Sequence, residues 1–425
     1  MKKMSRLFSI FLLALSIATL IHACSTSSNM ASSEASAPYV GSELNIDPEF
    51  KVFHHSEDSS TLFIKFETEN LLYVKAGDDY TALVTVEIEP IPTKTDGGLQ
   101  LKSKKVAVSG ISSSRKGEKA LAKVEFYLPM SEVYNLAITI ADANNGKKTT
   151  KLIETNKSVA NSRENFQACE SGQSVPMFTD RIKPNFSYQL LYGLSGAGNI
   201  KVNYYNRSFP LPPPPFAYYE PKPFNYEPDD SFELSSKSGV FEFTSLQEGF
   251  YHFRIDDEDK RGFTLFISED EDYPKVKNTT AMSEPFRYLV SGKEYKNLLE
   301  ASALKSELEK FWIDWSGDKT RARNNIKTYY KRVETSNKFF SSHLEGWQSD
   351  RGLIYIIYGE PNKIYKTAQL ETWIYGEEQN PLSLTFRFVK VDNPFTANDF
   401  RLEREDYYKP SWYRSIEAWR NGRVY

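Results

Sequence analysis

Apolar and polar positions follow two different periods along this chain, and the change falls near residue 275. From about residue 50 to 158, short apolar runs recur between turn residues: Thr61 to Phe66, Tyr80 to Ile88, Leu99 to Val108, Ala120 to Leu128 and Tyr134 to Ile140. Short alternating segments at such spacing predict an antiparallel β-sandwich of Ig-like type, here over residues 45–160. The last of these runs passes through Asp142 to Gly146 (DANNG) into a returning strand, Lys147 to Glu154, and Asn-Gly at that point signals a hairpin. A second pass contains Ser187 to Tyr192, Ile200 to Tyr205, Gly239 to Thr244, Phe250 to Ile255 and Gly262 to Ile267, and predicts a second sandwich module over residues 161–275. Gly193 to Gly198 (GLSGAG) lacks the residues of a nucleophile elbow or a phosphate loop and is expected to be a glycine-rich hairpin turn. The Pro-rich, aromatic segment 209–228 reads as a long loop packed on its own module, with docking on a partner's aromatic groove as the alternative.

Past Tyr273-Pro274 the period becomes helical. Leu304, Leu308, Phe311, Trp312 and Trp315 form one apolar face that Ser316-Gly317 ends, and Ala322, Ile326, Tyr329, Tyr330, Val333 and Phe340 form another. Asn337 lies on that second face, so it needs buried partners. The apolar run Leu353 to Tyr358 is expected to be a strand, as are Glu371 to Tyr375 and Leu382 to Val389, with a closing helix over Trp412 to Arg420. All six Trp fall between Trp312 and Trp419, which sets residues 276–425 apart as an α+β domain.

The N-terminus carries Lys2, Lys3 and Arg6, then an apolar run from Leu7 to Ile21, too short for a membrane span and of the length of a signal-peptide core. It ends in Ile21-His22-Ala23-Cys24, which resembles the bacterial lipobox. That resemblance implies cleavage after residue 23 and lipidation of Cys24, with the Ser- and Ala-rich residues 24–44 as a flexible tether to the membrane. Neither an Asp after the Cys nor an acidic run follows, so the periplasmic face of the outer membrane is the expected location. Removing three cations leaves 50 basic against 56 acidic residues, a net charge of −6 in place of −3.

Composition then narrows the function classes. The near-neutral charge argues against a dedicated nucleic-acid binder, which would need a basic stripe to neutralise phosphates. With 40% hydrophobic and 14% aromatic residues, global disorder is excluded. No cofactor motif is present and no metal site is expected: Gly146 is one place too early for a calcium loop beginning at Asp142, and His54-His55 lacks a spaced third ligand. The acidic clusters 256–259 and 269–272 read as solvated loops. Cys169, the remaining thiol, reads as a small buried hydrophobe.

One constellation is distinctive. Glu345 is followed by Gly346, Trp347, Gln348, Ser349, Asp350, Arg351 and Gly352, then by the turn Gly359, Glu360 and Pro361, and by Glu371 and Trp373. With Tyr330, Arg332, Asn337 and Phe340 upstream and Trp419 to Arg423 downstream, this resembles the GWxTD-domain family of Bacteroidota-type envelope lipoproteins, over roughly residues 280 to 425. Ser349 stands where that motif has Thr and keeps the hydroxyl. The resemblance implies an exported, often lipidated protein and no established reaction. Read physically, the motif is a helix-to-strand junction in which Gly346 permits a left-handed stop, Ser349 or Asp350 accepts backbone N–H bonds, and Arg351 pairs with Asp350 or Glu345. No nucleophile stands with its base, so catalytic residues are not assigned and the expectation is a non-enzymatic component of the envelope that binds an envelope protein partner. The alternative is a periplasmic carbohydrate-active hydrolase or glycan-binding protein that sets two of Asp350, Glu360 and Glu371 across a cleft, with Trp347 and Trp373 stacking sugar rings.

Overall fold

The computed structural model describes residues 44–93, 102–130, 132–195, 197–218, 224–237, 239–268, 270 and 272–424; Cys24, the signal segment and nearly all of the tether lie outside them. The described chain is mostly β-sheet, in five sheets, with its α-helices gathered toward the C-terminus.

The first apolar pass builds two antiparallel sheets. Glu49–His54, Ser59–Glu67 and Lys119–Tyr127 form one; Val74–Ala76, Asp79–Pro92, Val133–Asp142 and Lys148–Asn156 form the other, with Lys104–Ser112 also pairing to Asp79–Pro92. Their inner faces share one aliphatic core, because the period of two in each strand turns alternate residues inward. In Lys119–Tyr127, Ala120, Ala122, Val124 and Phe126 are buried while Lys119, Leu121, Lys123, Glu125 and Tyr127 face water. Burying each of the larger side chains contributes about 1.5–3 kcal/mol. The expected hairpin forms at residues 142–147: Gly146 adopts φ 74°, and the Asp142 carboxylate accepts from Leu72 N, Asn144 N and Asn145 Nδ2.

The second pass also builds two sheets. Arg181–Ile182, Phe263–Ile267, Phe250–Arg254, Asn199–Tyr205 and Asp230–Ser235 lie in that order in one, and Val240–Thr244, Ser187–Tyr192 and Phe166–Glu170 in the other. The Gly193–Gly198 segment is therefore not a hairpin. Ser187–Tyr192 and Asn199–Tyr205 belong to different sheets, and Gly193 lets the chain between them pass close to the first sheet pair: a Cβ there would lie 1.7 Å from the His54 carbonyl oxygen.

The C-terminal region contains six helices, α1 (Thr279–Phe286), α2 (Gly292–Leu299), α3 (Leu304–Ser316), α4 (Lys319–Phe339), α5 (Asp350–Tyr358) and α6 (Tyr408–Arg420). They pack on a four-stranded antiparallel sheet ordered Lys363–Lys366, Leu370–Tyr375, Leu384–Lys390 and Phe400–Leu402. The core is rich in aromatics: Trp312 lies 5.5 Å from Tyr329 and 6.3 Å from Trp419, ring centre to ring centre. The periodicity places α3 and α4 correctly, and Gly317 closes α3 at φ 75°.

Residues 353–358 correct the strand expectation, for they are helical. The run LIYIIY has β-forming content, but it is buried against α4, α6 and the strand Phe400–Leu402 together, so its apolar residues are covered on several sides. A helix covered all round needs no polar face and loses the periodic signal. Ser349 supplies the start signal, since its Oγ accepts from Gly352 N at 3.0 Å.

Candidate functional site

The Gly346–Gly352 motif sits where α4, a short 3-10 turn over Gly346–Gln348 and the first turn of α5 meet. Gly346 is required for close approach and not for a left-handed stop: its φ is not positive, and a Cβ there would lie 1.8 Å from the Ser336 carbonyl oxygen on α4. Gly352 in turn packs on that turn, where a Cβ would meet the Gly346 carbonyl at 1.9 Å. Asn337 bridges the crossing. Its Oδ1 accepts from Trp347 N at 3.0 Å and its Nδ2 donates to Pro274 O at 3.3 Å, which meets the need of a buried amide. The Trp347 indole donates to Glu345 Oε2 at 2.9 Å, and Tyr288 Oη donates to the Trp347 carbonyl at the same distance.

The charged residues are consumed within the fold. Asp350, in the first turn of α5 where the helix dipole favours an anion, accepts from Leu402 N at 2.9 Å and from both terminal nitrogens of Arg404. Arg351 pairs with neither Asp350 nor Glu345. It crosses to the sheet and donates to Glu371 Oε1 at 3.0 Å, and to the Asn398 carbonyl and amide oxygens at 2.9 and 2.6 Å, with its guanidinium 4.3 Å from the centre of the Phe400 ring. Glu371 also meets Lys366 Nζ at 2.8 Å and the Trp373 indole at 3.3 Å. Burial works to raise the Glu371 pKa, but Arg351 and Lys366 outweigh it, so the carboxyl is held below its ordinary value.

Gly359 ends α5 at φ 86°, with its carbonyl accepting from Tyr375 Oη at 2.8 Å and the Arg332 guanidinium packed over it. Arg332 donates to the Ile356 and Ile357 carbonyls, both at 3.2 Å, and so satisfies the last turn of α5. In the turn that follows, Glu360 is exposed and Pro361 buried. The structure thus brings Gly346, Trp347, Ser349, Asp350, Arg351, Gly352, Glu371 and Trp373 together in one packed junction, with Glu360 outside it. Of the three carboxylates, two are tied to arginines and one stands on the surface, so they do not form the facing pair that glycoside hydrolysis requires. Trp347 and Trp373, at 4% and 1% exposure, offer no face to a sugar.

Residues 249–421 match the model of the GWxTD domain. The chain carries a GWxTD domain. The match begins upstream of the composition shift and takes in the strands Phe250–Arg254 and Phe263–Ile267 of the second sheet pair. No curated protein matches the chain. Among solved structures, a calcium-binding mutant of Bacteroides uniformis beta-glucuronidase 2 is 16% identical, with 31% of this chain and 14% of that one covered at a TM-score of 0.18. Red sea bream transglutaminase is 9% identical, with 52% and 31% covered at a TM-score of 0.18. The chain spans less than a third of the length of either protein, and similarity at that level carries no argument here.

Sequence reasoning missed the partners that complete the GWxTD junction: Arg404, Asn398, Phe400 and Lys366. Arg404 is 54 positions from Asp350, and Asn398 is 47 from Arg351. Nothing local to either residue distinguishes it from a surface side chain.

Proposed function

We propose that this protein is an outer-membrane-anchored lipoprotein in which the GWxTD domain is a non-enzymatic structural or protein-interaction part of the cell envelope. In this reading Cys24 carries the lipid, residues 24–44 tether the body on the periplasmic side, and the two sheet pairs are Ig-like sandwich modules set between the anchor and the C-terminal domain. The observation that carries it is the state of the motif: Trp347, Asp350, Arg351 and Glu371 are 4%, 8%, 2% and 3% exposed, and each is tied by hydrogen bonds to partners within the fold. Residues so placed hold a fold and are not free to transfer protons.

Two measurements test it. Metabolic labelling with radioactive palmitate should mark the wild type and not Cys24→Ser, and the label should follow the outer-membrane fraction; an unlabelled wild type overturns the anchor. Crosslinking and capture of the anchored protein should recover a stoichiometric envelope protein. Failure to recover one, together with hydrolysis of a cell-wall glycan by the purified chain, would overturn the non-enzymatic reading.

A further inference from the structure

The two charged residues of the motif each hold a segment that reaches into the second sheet pair. Asp350 holds Arg404, whose Nη2 also donates to the Pro213 carbonyl at 3.2 Å, and next to it Glu405 N donates to the Pro215 carbonyl at 3.2 Å. The Pro-rich segment is thereby strapped to the GWxTD domain, with Leu211 and Phe216 packed on that domain's core and the Phe216 ring 5.5 Å from Tyr413 on α6. Arg351 holds Asn398, whose Nδ2 donates to Ser341 O at 2.8 Å and Phe339 O at 3.2 Å, at the end of α4.

Three residues before Asn398, Phe395 is 3% exposed and lies among side chains of the second sheet pair and its Pro-rich segment. Its ring centre is 4.9 Å from Phe250, 5.0 Å from Phe224 and His252, and 5.4 Å from Tyr205. The Phe395 carbonyl accepts from Arg163, which also pairs with Asp180. Burial of an aromatic ring in such a cluster exceeds its area term by about 0.5–1.5 kcal/mol for each well-placed ring pair.

We infer that Asp350 and Arg351 form an intramolecular latch that fixes the second sheet pair on the GWxTD domain, through the Pro213–Pro215 strap on one side and the Phe395 plug on the other. The closed latch then protects the sheet pair from local opening, and a change at the motif is felt in that pair. The latch holds whether or not the chain is anchored to lipid, so its test is independent of the proposed function. It also gives a physical reason for the family match to begin at residue 249, since Phe250 is a wall of the Phe395 socket.

Hydrogen–deuterium exchange on the full chain reads the latch directly. Asp350→Asn should raise amide exchange in the strand Asn199–Tyr205 and in residues 206–218 by about tenfold or more, although those residues belong to the other region. Phe395→Ala should do the same and should raise tryptic cleavage at the exposed Lys275 and Lys277 by a similar factor, with Phe395→Leu restoring most of the protection. Leu298→Ala, in the same helical core but away from the latch, should leave exchange over 199–218 unchanged. If Asp350→Asn does not fold, Phe395→Ala, whose ring lies outside the motif, carries the test. Exchange over 199–218 that stays at the wild-type rate in Phe395→Ala would overturn the inference, as would an equal rise in Leu298→Ala.

Discussion

In the first sheet pair Lys123 and Glu125 meet at 2.8 Å with 56% and 61% of their side chains in water; in the GWxTD domain Arg351 and Glu371 meet at 3.0 Å with 2% and 4% exposed. The distances are nearly equal and the consequences are opposite. Water screens the first pair, and two long side chains lose freedom to hold it, so it adds little. The second pair has been stripped of water, and the fold depends on each charge having its partner. The first sheet pair is accordingly specified by alternation of Val, Ile, Leu and Ala, which tolerates exchange among aliphatics. The GWxTD domain is specified by particular side chains meeting particular partners.

The largest effect that sharpens this contrast is expected at Arg351. Arg351→Met should lower unfolding free energy by about 3 kcal/mol in a denaturant titration, because Glu371 stays buried and loses its buried partner, with only the largely exposed Lys366 left to it. Adding Glu371→Leu to that variant should restore part of the loss; if it restores none, the cost lies in packing and the electrostatic contrast fails.

A second test uses the polar groups that the first sheet pair does bury. His54 sits between Ser60 Oγ at 2.7 Å and Thr155 Oγ1 at 3.2 Å, and burial, with Lys157 nearby, pushes its pKa down to about 3. The unfolded chain binds a proton below about pH 6.5 that the folded chain refuses, so stability should fall as pH drops from 6.5 toward 3, by up to about 1.4 kcal/mol per pH unit for this residue. His54→Gln should flatten that slope in a series of unfolding curves; an unchanged slope would show that His54 is already protonated in the fold. Glu371 acts in the same direction at lower pH, since its depressed pKa keeps its contribution until the pH falls through the folded value.

Smaller still, Ser349→Ala removes the α5 cap and should cost about 1 kcal/mol, while Ser349→Thr should cost much less because the hydroxyl remains; thermal unfolding distinguishes them. The smallest change is Lys123→Ala, which should leave the denaturation midpoint within error at physiological salt. A clear shift would mean that the exposed pair matters more than its solvation allows.

Particular residues explain how far the sequence could be read. Ala120, Ala122, Val124 and Phe126 announce a half-buried strand because a sheet with one wet face must alternate. Leu308 and Trp312 announce α3 for the corresponding helical reason. Leu353 to Tyr358 hid its helix because it is covered on several sides, and α1 and α2 escaped notice because eight residues each provide too little periodicity. Gly193 showed that a turn was present and not which sheets it joined.

The motif divides the same way. Gly346, Trp347, Ser349, Asp350 and Arg351 were legible as a unit, because glycines, a hydroxyl able to cap and adjacent charges in seven residues form a local pattern; that Gly346 serves close approach and not a left-handed stop was not legible. Which partners they meet was not. Arg404, Asn398, Glu371 and Phe395 lie some 20 to 54 positions from the motif, or beyond it in another core, and no local spacing encodes that reach. By itself the chain determined its periods, its aromatic C-terminal third and the motif that marks it, because these are set by neighbours along the backbone. Tertiary structure alone decided that Asp350 and Glu371 are bound to arginines and that the motif grips the preceding sheet pair, because burial and ion pairing are made by residues that only folding brings together.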